Sequence, residues 1–383
     1  MYLYMNANKE IQLYSERTPH SIIAYFDGLT DPRVRRTRRH NLIDIMVIAI
    51  CSLICGGESF NDMEDFGRAK EEWFGTFLEL PNGIPSHDTF NRVFSALNPD
   101  EFLVCFLAWT QSLRKAVGEE IVAVDGKSLR RAIREGGLPH IVSAWAVTNG
   151  LVLGQVKADE KSNEITAIPQ LLRALDLEGC VVTIDAMGCQ KAIAKEIQEA
   201  DAEYVLALKG NQQVASQEIK SYLDEAIAHA SDEVARVQTV DKGHGRLETR
   251  TYWQSQRLDW FADRHLWEGL RSIGVVESVR EIKGQVQTER RYFLSSLPLD
   301  VGRFARAVRL HWGIENQLHW VLDVQFGEDQ CRARSGHADA NLATLRRLAL
   351  NLLKQETTKK RGIRGKQKNA GWDNRYLLRV LGI

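Results

Sequence analysis

The chain has 383 residues, 44% of them apolar and 26% charged, with 50 Lys plus Arg set against 50 Asp plus Glu. That composition and length exclude a disordered or collagen-like chain and give enough material for more than one domain. Zero formal net charge excludes a strongly basic protein, so any nucleic-acid surface must come from local clusters.

The six cysteines (Cys51, Cys55, Cys105, Cys180, Cys189 and Cys331) form no CxxC pair and no repeated spacing. They read as reduced, buried thiols of a cytoplasmic protein rather than a disulfide framework. The first residues lack the apolar core of a secretory signal. The longest apolar run, Leu42 to Cys55, carries Asp44 and falls short of the roughly 20 residues a bilayer span needs. A soluble protein with no membrane partner is expected.

Residues 1–14 read as a flexible leader. Across 15–117 the pattern is helical: Ile43, Val47, Ile50, Cys51 and Ile54 recur at helical spacing, as do Phe90, Val93, Phe94 and Leu97. Ser86 is placed to cap a short helix from Asp88 to Leu97, which suits a helix-turn-helix unit or any all-α domain. Five arginines crowd into Arg33 to His40, either a solvated loop or a phosphate-contacting one.

The texture changes over 118–230. Ile121 to Val124 is a short buried strand ending on Asp125. Ile141 to Val147 and Leu151 to Val156 flank Asn149-Gly150, a pair suited to a type I′ hairpin turn. Asn163 can cap a helix to Leu175. A buried strand from Cys180 to Ile184 ends on Asp185, and Tyr204 to Leu208 is another. The expected order is strand, strand, strand, helix, strand, helix, strand, helix. Period-two patterning over 231–298 predicts a β-rich insertion. Within 299–356 a long helix is expected from about Gly302 to Leu322 and a second from Ala338 to Lys354. Residues 357–383, rich in Lys and Arg around Gly362 and Gly365, read as a mobile basic tail.

Asp125 and Asp185 each close a buried strand. Singly, each reads as a turn residue. If the strands are neighbours, the pair would repel strongly without a cation between them. His311, Glu315, His319 and Asp323, spaced by four, form one polar stripe on an otherwise apolar helix. That stripe faces solvent or offers a third carboxylate. A single metal ion held by both His311 and His319 is disfavoured, because the two lie about 12 Å apart on a straight helix. Two aspartates and a glutamate suit Mg²⁺ or Mn²⁺, and two such ions serve phosphodiester chemistry. Trp312 and Trp320 read more readily as core than as base-stacking platforms. Lys127, Arg130, Arg131 and Arg134 follow Asp125, Lys209, Asn211 and Gln212 follow the third buried strand, and His244 sits between glycines. Each is a candidate DNA contact or a solvated surface group.

The strand–helix order resembles the ribonuclease-H-like fold, an α/β mixed sheet, here with a β-rich insertion and an all-α N-terminal domain. VDGKSLR, TIDAMGCQ, LALKGNQ, DKGHGRLETR and HWGIENQLHWVLDVQFGEDQCRAR, in that order, resemble the H-repeat-associated, ISAs-type DDE transposases of bacterial insertion sequences. The resemblance implies Asp125, Asp185 and Glu315 as catalytic, metal-holding triad, two Mg²⁺ or Mn²⁺ ions with DNA bound, double-stranded DNA as partner and a homodimer on it. It further implies strand cleavage at element ends and transfer into target DNA. A nuclease without strand transfer and a vestigial DNA-binding relative are the alternatives. Related transposases carry Tyr, Arg and Lys around the glutamate where this chain has Val308, His311 and Leu322, so the DNA-holding roles are expected to pass to His319, Arg332 and Arg334. Glu328 and Asp329 are the nearest rivals for the third carboxylate.

Overall fold

The computed structural model describes residues 22–26, 28–113, 119–129, 140–158, 164–243, 246–282 and 285–382. Its described residues fall into two compact units. One lies within Met1–Ala116, Gly126–Asn163 and Glu315–Ile383, and the other within Val117–Asp125 and Glu164–Ile314.

Among the described residues nine strands hydrogen-bond in the order β3-β2-β1-β4-β5-β9-β8-β7-β6. They are β1 (Ile121–Ser128), β2 (His140–Ala146), β3 (Leu151–Ala158), β4 (Val181–Ile184), β5 (Glu203–Leu208), β6 (Ala235–Gly243), β7 (Arg246–Ser255), β8 (Ser272–Ile282) and β9 (Gln285–Ser295). β4 runs parallel to both β1 and β5, as near-continuous apolar strands buried on both faces do. β5 pairs antiparallel with β9, and β6 to β9 form an antiparallel meander.

In the first unit the helices before β1 are α1 (Ile22–Phe26), α2 (Leu42–Ile54), α3 (Phe60–Ala69), α4 (Glu71–Phe74), α5 (His87–Ala96) and α6 (Pro99–Leu113). Ser59 and Asp62 close α3 with a reciprocal capping box. The organiser is α12 (Ala338–Gln355), which is buried on every face from Ala338 to Leu353. A helix so placed must satisfy its polar side chains internally. Asn351 both donates to and accepts from the Val152 backbone at 2.9 Å, Gln155 donates to Thr344, and Asn341 donates to the carbonyls of Phe94 and Leu97.

The second unit carries α7 (Glu164–Arg173), α8 (Lys191–Glu199), α9 (Gln213–Ala228) and α10 (Val301–His311). Asp300 caps α10 by accepting from the Arg303 N–H at 3.0 Å. That helix lies so close to β8 that a Cβ on Gly274 would sit 2.4 Å from the Phe304 ring.

Several expectations change. Four residues, 147–150, separate the paired Ala146 and Leu151, so the hairpin has a longer loop than a two-residue turn, with the positive φ at Gly150 alone. The long helix expected to Leu322 is interrupted: α10 ends at His311, a π-helical turn spans Glu315–His319, and α11 (Trp320–Phe326) follows. The segment expected as a mobile basic tail folds into α13 (Ile363–Trp372) and α14 (Asn374–Leu381). Its charges mask an amphipathic pattern in which Ala370, Tyr376, Leu377, Val380 and Leu381 are buried. No described helix is long and apolar enough to cross a membrane.

Candidate active site

Strand pairing aligns the two aspartates. Ile121 to Val124 of β1 match Val181 to Ile184 of β4 residue for residue in a parallel ladder, so Asp125 and Asp185 each follow directly on its last pair. Parallel neighbours lie about 4.8 Å apart, and both residues are half-buried beyond four fully buried pairs, all apolar but for Thr183. β1 does not stop at Asp125 as expected but continues to Ser128.

The chain leaves β4 through a tight turn held by Asp185 itself. Its Oδ1 accepts from the N–H groups of Met187 (3.0 Å) and Gly188 (3.4 Å), leaving Oδ2 outside any hydrogen bond among the described residues. Only glycine fits at 188, since a Cβ there would lie 2.2 Å from Ile184 Cγ2. The candidate DNA contacts Asn211 and Gln212 brace this loop: Asn211 donates to the Ala186 carbonyl (2.7 Å) and Gln212 to that of Cys189 (3.0 Å). His311 Nδ1 lies 3.0 Å from Thr183 Oγ1, tying the end of α10 to the strand that carries Asp185. Lys209 is exposed just after β5.

In the other unit Glu315 opens the π turn with its side chain 57% exposed, and buried His319 places Nδ1 3.2 Å from Glu315 Oε2. That hydrogen bond, joined by the charges of His319 and Lys127, outweighs burial and holds the Glu315 carboxyl below its ordinary range. A π turn is uncommon and costs helix geometry, which is why such turns cluster at functional sites. The stripe of four therefore does not act as one row. His311 bonds Thr183, Glu315 bonds His319, and Asp323 pairs with Lys127.

Lys127 is not a solvated contact. Its ammonium is buried, 2.6 Å from Asp323, 2.8 Å from Asp329 and 3.5 Å from Glu328. Glu328 is itself fully buried on Arg347, at 2.7 Å. This ion-pair cluster, and the fully buried Arg346 beside Arg347, carried no periodic signal in the sequence. Arg332 and Arg334 are exposed and line a cleft of about 560 Å³ with Glu58, Asn61 and Asn91. Arg130, Arg131, Arg134 and His244 lie outside the described residues. Trp312 and Trp320, expected in the core, are 40% and 54% exposed, and the Arg291 guanidinium sits 4.7 Å from the Trp312 ring.

The candidate ligands Asp125, Asp185 and Glu315 offer oxygen donors only, the set that hard divalent cations accept. Asp185 has one oxygen committed to its loop and the other outside it, and the Glu315 carboxyl is held below its ordinary range, so each of these two carboxylates suits a ligand to such an ion.

A family described as "Transposase DDE domain" matches residues 117–352, and one described as "DDE_Tnp_1-associated" matches 23–110. The chain belongs to the DDE transposase family. It is similar to the "H repeat-associated putative transposase YhhI" of Escherichia coli (strain K12), at 39% identity over 91% of this chain and 95% of that protein. It is 39% identical to the "Putative transposase YncI" of Escherichia coli O157:H7 over 94% of each chain. It is 42% identical to the "Uncharacterized protein in dhlA 3'region" of Xanthobacter autotrophicus over 72% of this chain and 94% of that one. The H-repeat-associated resemblance therefore holds over nearly the whole DDE transposase chain.

Proposed function

We propose that this DDE transposase cuts DNA at the ends of an insertion sequence and joins the freed 3′ ends to target DNA, with Asp125, Asp185 and Glu315 as its catalytic carboxylates. The observation that carries the reading is the residue-for-residue parallel pairing of β1 with β4, which ends one residue short of Asp125 on one strand and of Asp185 on the other. The sheet order from β3 to β5 supports a ribonuclease-H-like core, with 231–298 as its β insertion and the helices of 15–117 as a DNA-binding region.

Two Mg²⁺ or Mn²⁺ ions, when bound, would supply Lewis acidity to the attacking and leaving oxygens. The three carboxylates would hold those ions, and the bracing by Asn211 and Gln212 steadies the loop of Asp185 before DNA arrives. In cleavage, the oxygen of water joins phosphorus, the P–O3′ bond breaks, and the leaving oxygen takes a proton to become a 3′ hydroxyl. In transfer, that 3′ oxygen attacks a target phosphate and displaces another 3′ oxygen, so no covalent protein–DNA bond is needed. Exposed Lys209, Arg332 and Arg334 are proposed to hold backbone phosphates, with Arg130 and His244 as further contacts. A homodimer in the cytoplasm, pairing two element ends, fits this chemistry.

The test is cleavage of supercoiled DNA carrying both flanks of this gene, with Asp185→Asn alongside. Metal-dependent 3′-hydroxyl ends at the flank boundaries and joined products, both absent from the variant, are expected. Cutting that survives in Asp185→Asn would remove that residue from the triad. Nicked products that are never joined would restrict the activity to a nuclease.

A further inference from the structure

Lys127 lies two residues beyond Asp125, on the part of β1 that enters the first unit, and its side chain is only 9% exposed. Burying an ammonium costs several kcal/mol unless it is paired and hydrogen-bonded. Here it meets Asp323 on α11, and Glu328 and Asp329 on the 3₁₀ turn Glu328–Gln330. α11 continues directly from the π turn Glu315–His319, with Asp323 two turns beyond Glu315. Fully buried Arg347 and Arg346 face the same cluster, and together they and Lys127 overcome burial to keep Glu328 ionised. Three cations thus balance Asp323, Glu328 and Asp329. Of the three, only Lys127 comes from a strand rather than from α12.

We propose that Lys127 is a positioning residue, whose buried ammonium pins α11 and the π turn to the outgoing end of β1 and so sets Glu315 in its working place. A phosphate contact would leave the ammonium exposed and salt-sensitive; this one is enclosed by three carboxylates. The assignment rests on Glu315 being a triad member.

The experiment measures Mn²⁺ binding by electron paramagnetic resonance of the free ion, and single-turnover cleavage, on the full chain with flank DNA. Wild type, Glu315→Gln, Lys127→Met and Lys127→Met/Asp323→Asn are compared. The double variant keeps the cluster neutral, so it retains the fold while losing the tie. It is expected to cleave about 100-fold more slowly, the scale of a small misplacement. Mn²⁺ affinity should fall about tenfold, as on losing a supporting partner of a ligand. DNA affinity in the absence of metal should stay close to that of wild type. Wild-type cleavage and Mn²⁺ binding in the double variant would reduce Lys127 to charge balance and overturn the proposal. A marked loss of metal-free DNA binding would do the same, by making Lys127 a DNA contact. Wild type that binds Mn²⁺ no better than Glu315→Gln would overturn the triad reading itself, and this proposal with it.

Discussion

The turn after Asp185 and the turn at Glu315 each present one carboxylate, and they are held by opposite means. Asp185 is fixed by neutral groups close in sequence: the N–H groups of Met187 and Gly188, the tight fit at Gly188, and two amides from the next strand's exit. Glu315 has its own bond to His319, and the α11 helix that continues from its turn meets charge drawn from far along the chain, in Lys127, Glu328 and Arg347. Neutral hydrogen bonds contribute about 1 kcal/mol each and fail singly. A buried charged cluster contributes little net stability, yet loses several kcal/mol when one member is removed. The Asp185 loop should therefore tolerate damage in steps, and the Glu315 support should not.

The largest effect expected is on chemistry. Asp185→Asn and Glu315→Gln should each abolish strand cleavage, since neither amide supplies the negative charge that neutralises a divalent cation. Gel shifts without metal should show DNA binding retained in both. If one turn's variant cuts normally and the other's does not, the two carboxylates are not equivalent and the comparison fails.

Next comes Arg347→Met, which removes the 2.7 Å hydrogen bond to buried Glu328 and leaves the cluster one negative charge in excess. A loss of about 3–5 kcal/mol in chemical denaturation is expected. A loss below about 1 kcal/mol would mean that water or another cation satisfies Glu328, and would remove the contrast with the neutral loop.

The same cluster predicts an acid response. Burial pushes the Glu328 carboxyl up, but the charges of Arg347, Lys127 and Arg346 bring it down to about 2, below its ordinary 4.5. A depressed carboxyl contributes stability that is complete above the unfolded value and is lost as pH falls through the folded one. Wild-type stability should hold above pH 4.5 and decline toward pH 2. Glu328→Gln, already weaker at neutral pH, should lose less across that window. Equal slopes for the two proteins would place the acid sensitivity elsewhere.

How much of this was legible follows the same division. The apolar runs ending on Asp125 and Asp185 are contiguous, so burial and pairing could be read from them, and β1 beside β4 follows from the crossover helix between. The order of strands and helices from β1 to α9 was legible for the same reason. The π turn was not, because a regular spacing of four from His311 to Asp323 gives no sign that the helix breaks at Trp312. Nor was the burial of Lys127, Arg346 and Arg347, which local pattern marks as solvated charge. The exposure of Trp312 and Trp320 was missed because composition alone sends tryptophan inward, and only the outward side of the broken helix leaves them there. The 357–383 tail was misread because its basic residues hide the spacing of Tyr376, Leu377, Val380 and Leu381.

The smallest effect tests the neutral side. Asn211→Ala removes one 2.7 Å hydrogen bond to the Ala186 carbonyl from an exposed residue, and water can replace the lost donor. Stability should fall by no more than about 1 kcal/mol. Cleavage should slow by a larger factor than that loss suggests, because the carbonyl belongs to the residue after Asp185 and its release loosens the aspartate. Gln212→Ala should act the same way through Cys189, and the double variant should slow cleavage more than either alone while the protein stays folded. Stepwise loss of rate with nearly constant stability is the signature of a turn held by several weak neutral bonds. A collapse of the fold on removing Asn211 alone would instead show that this turn, like the one at Glu315, hangs on a single member.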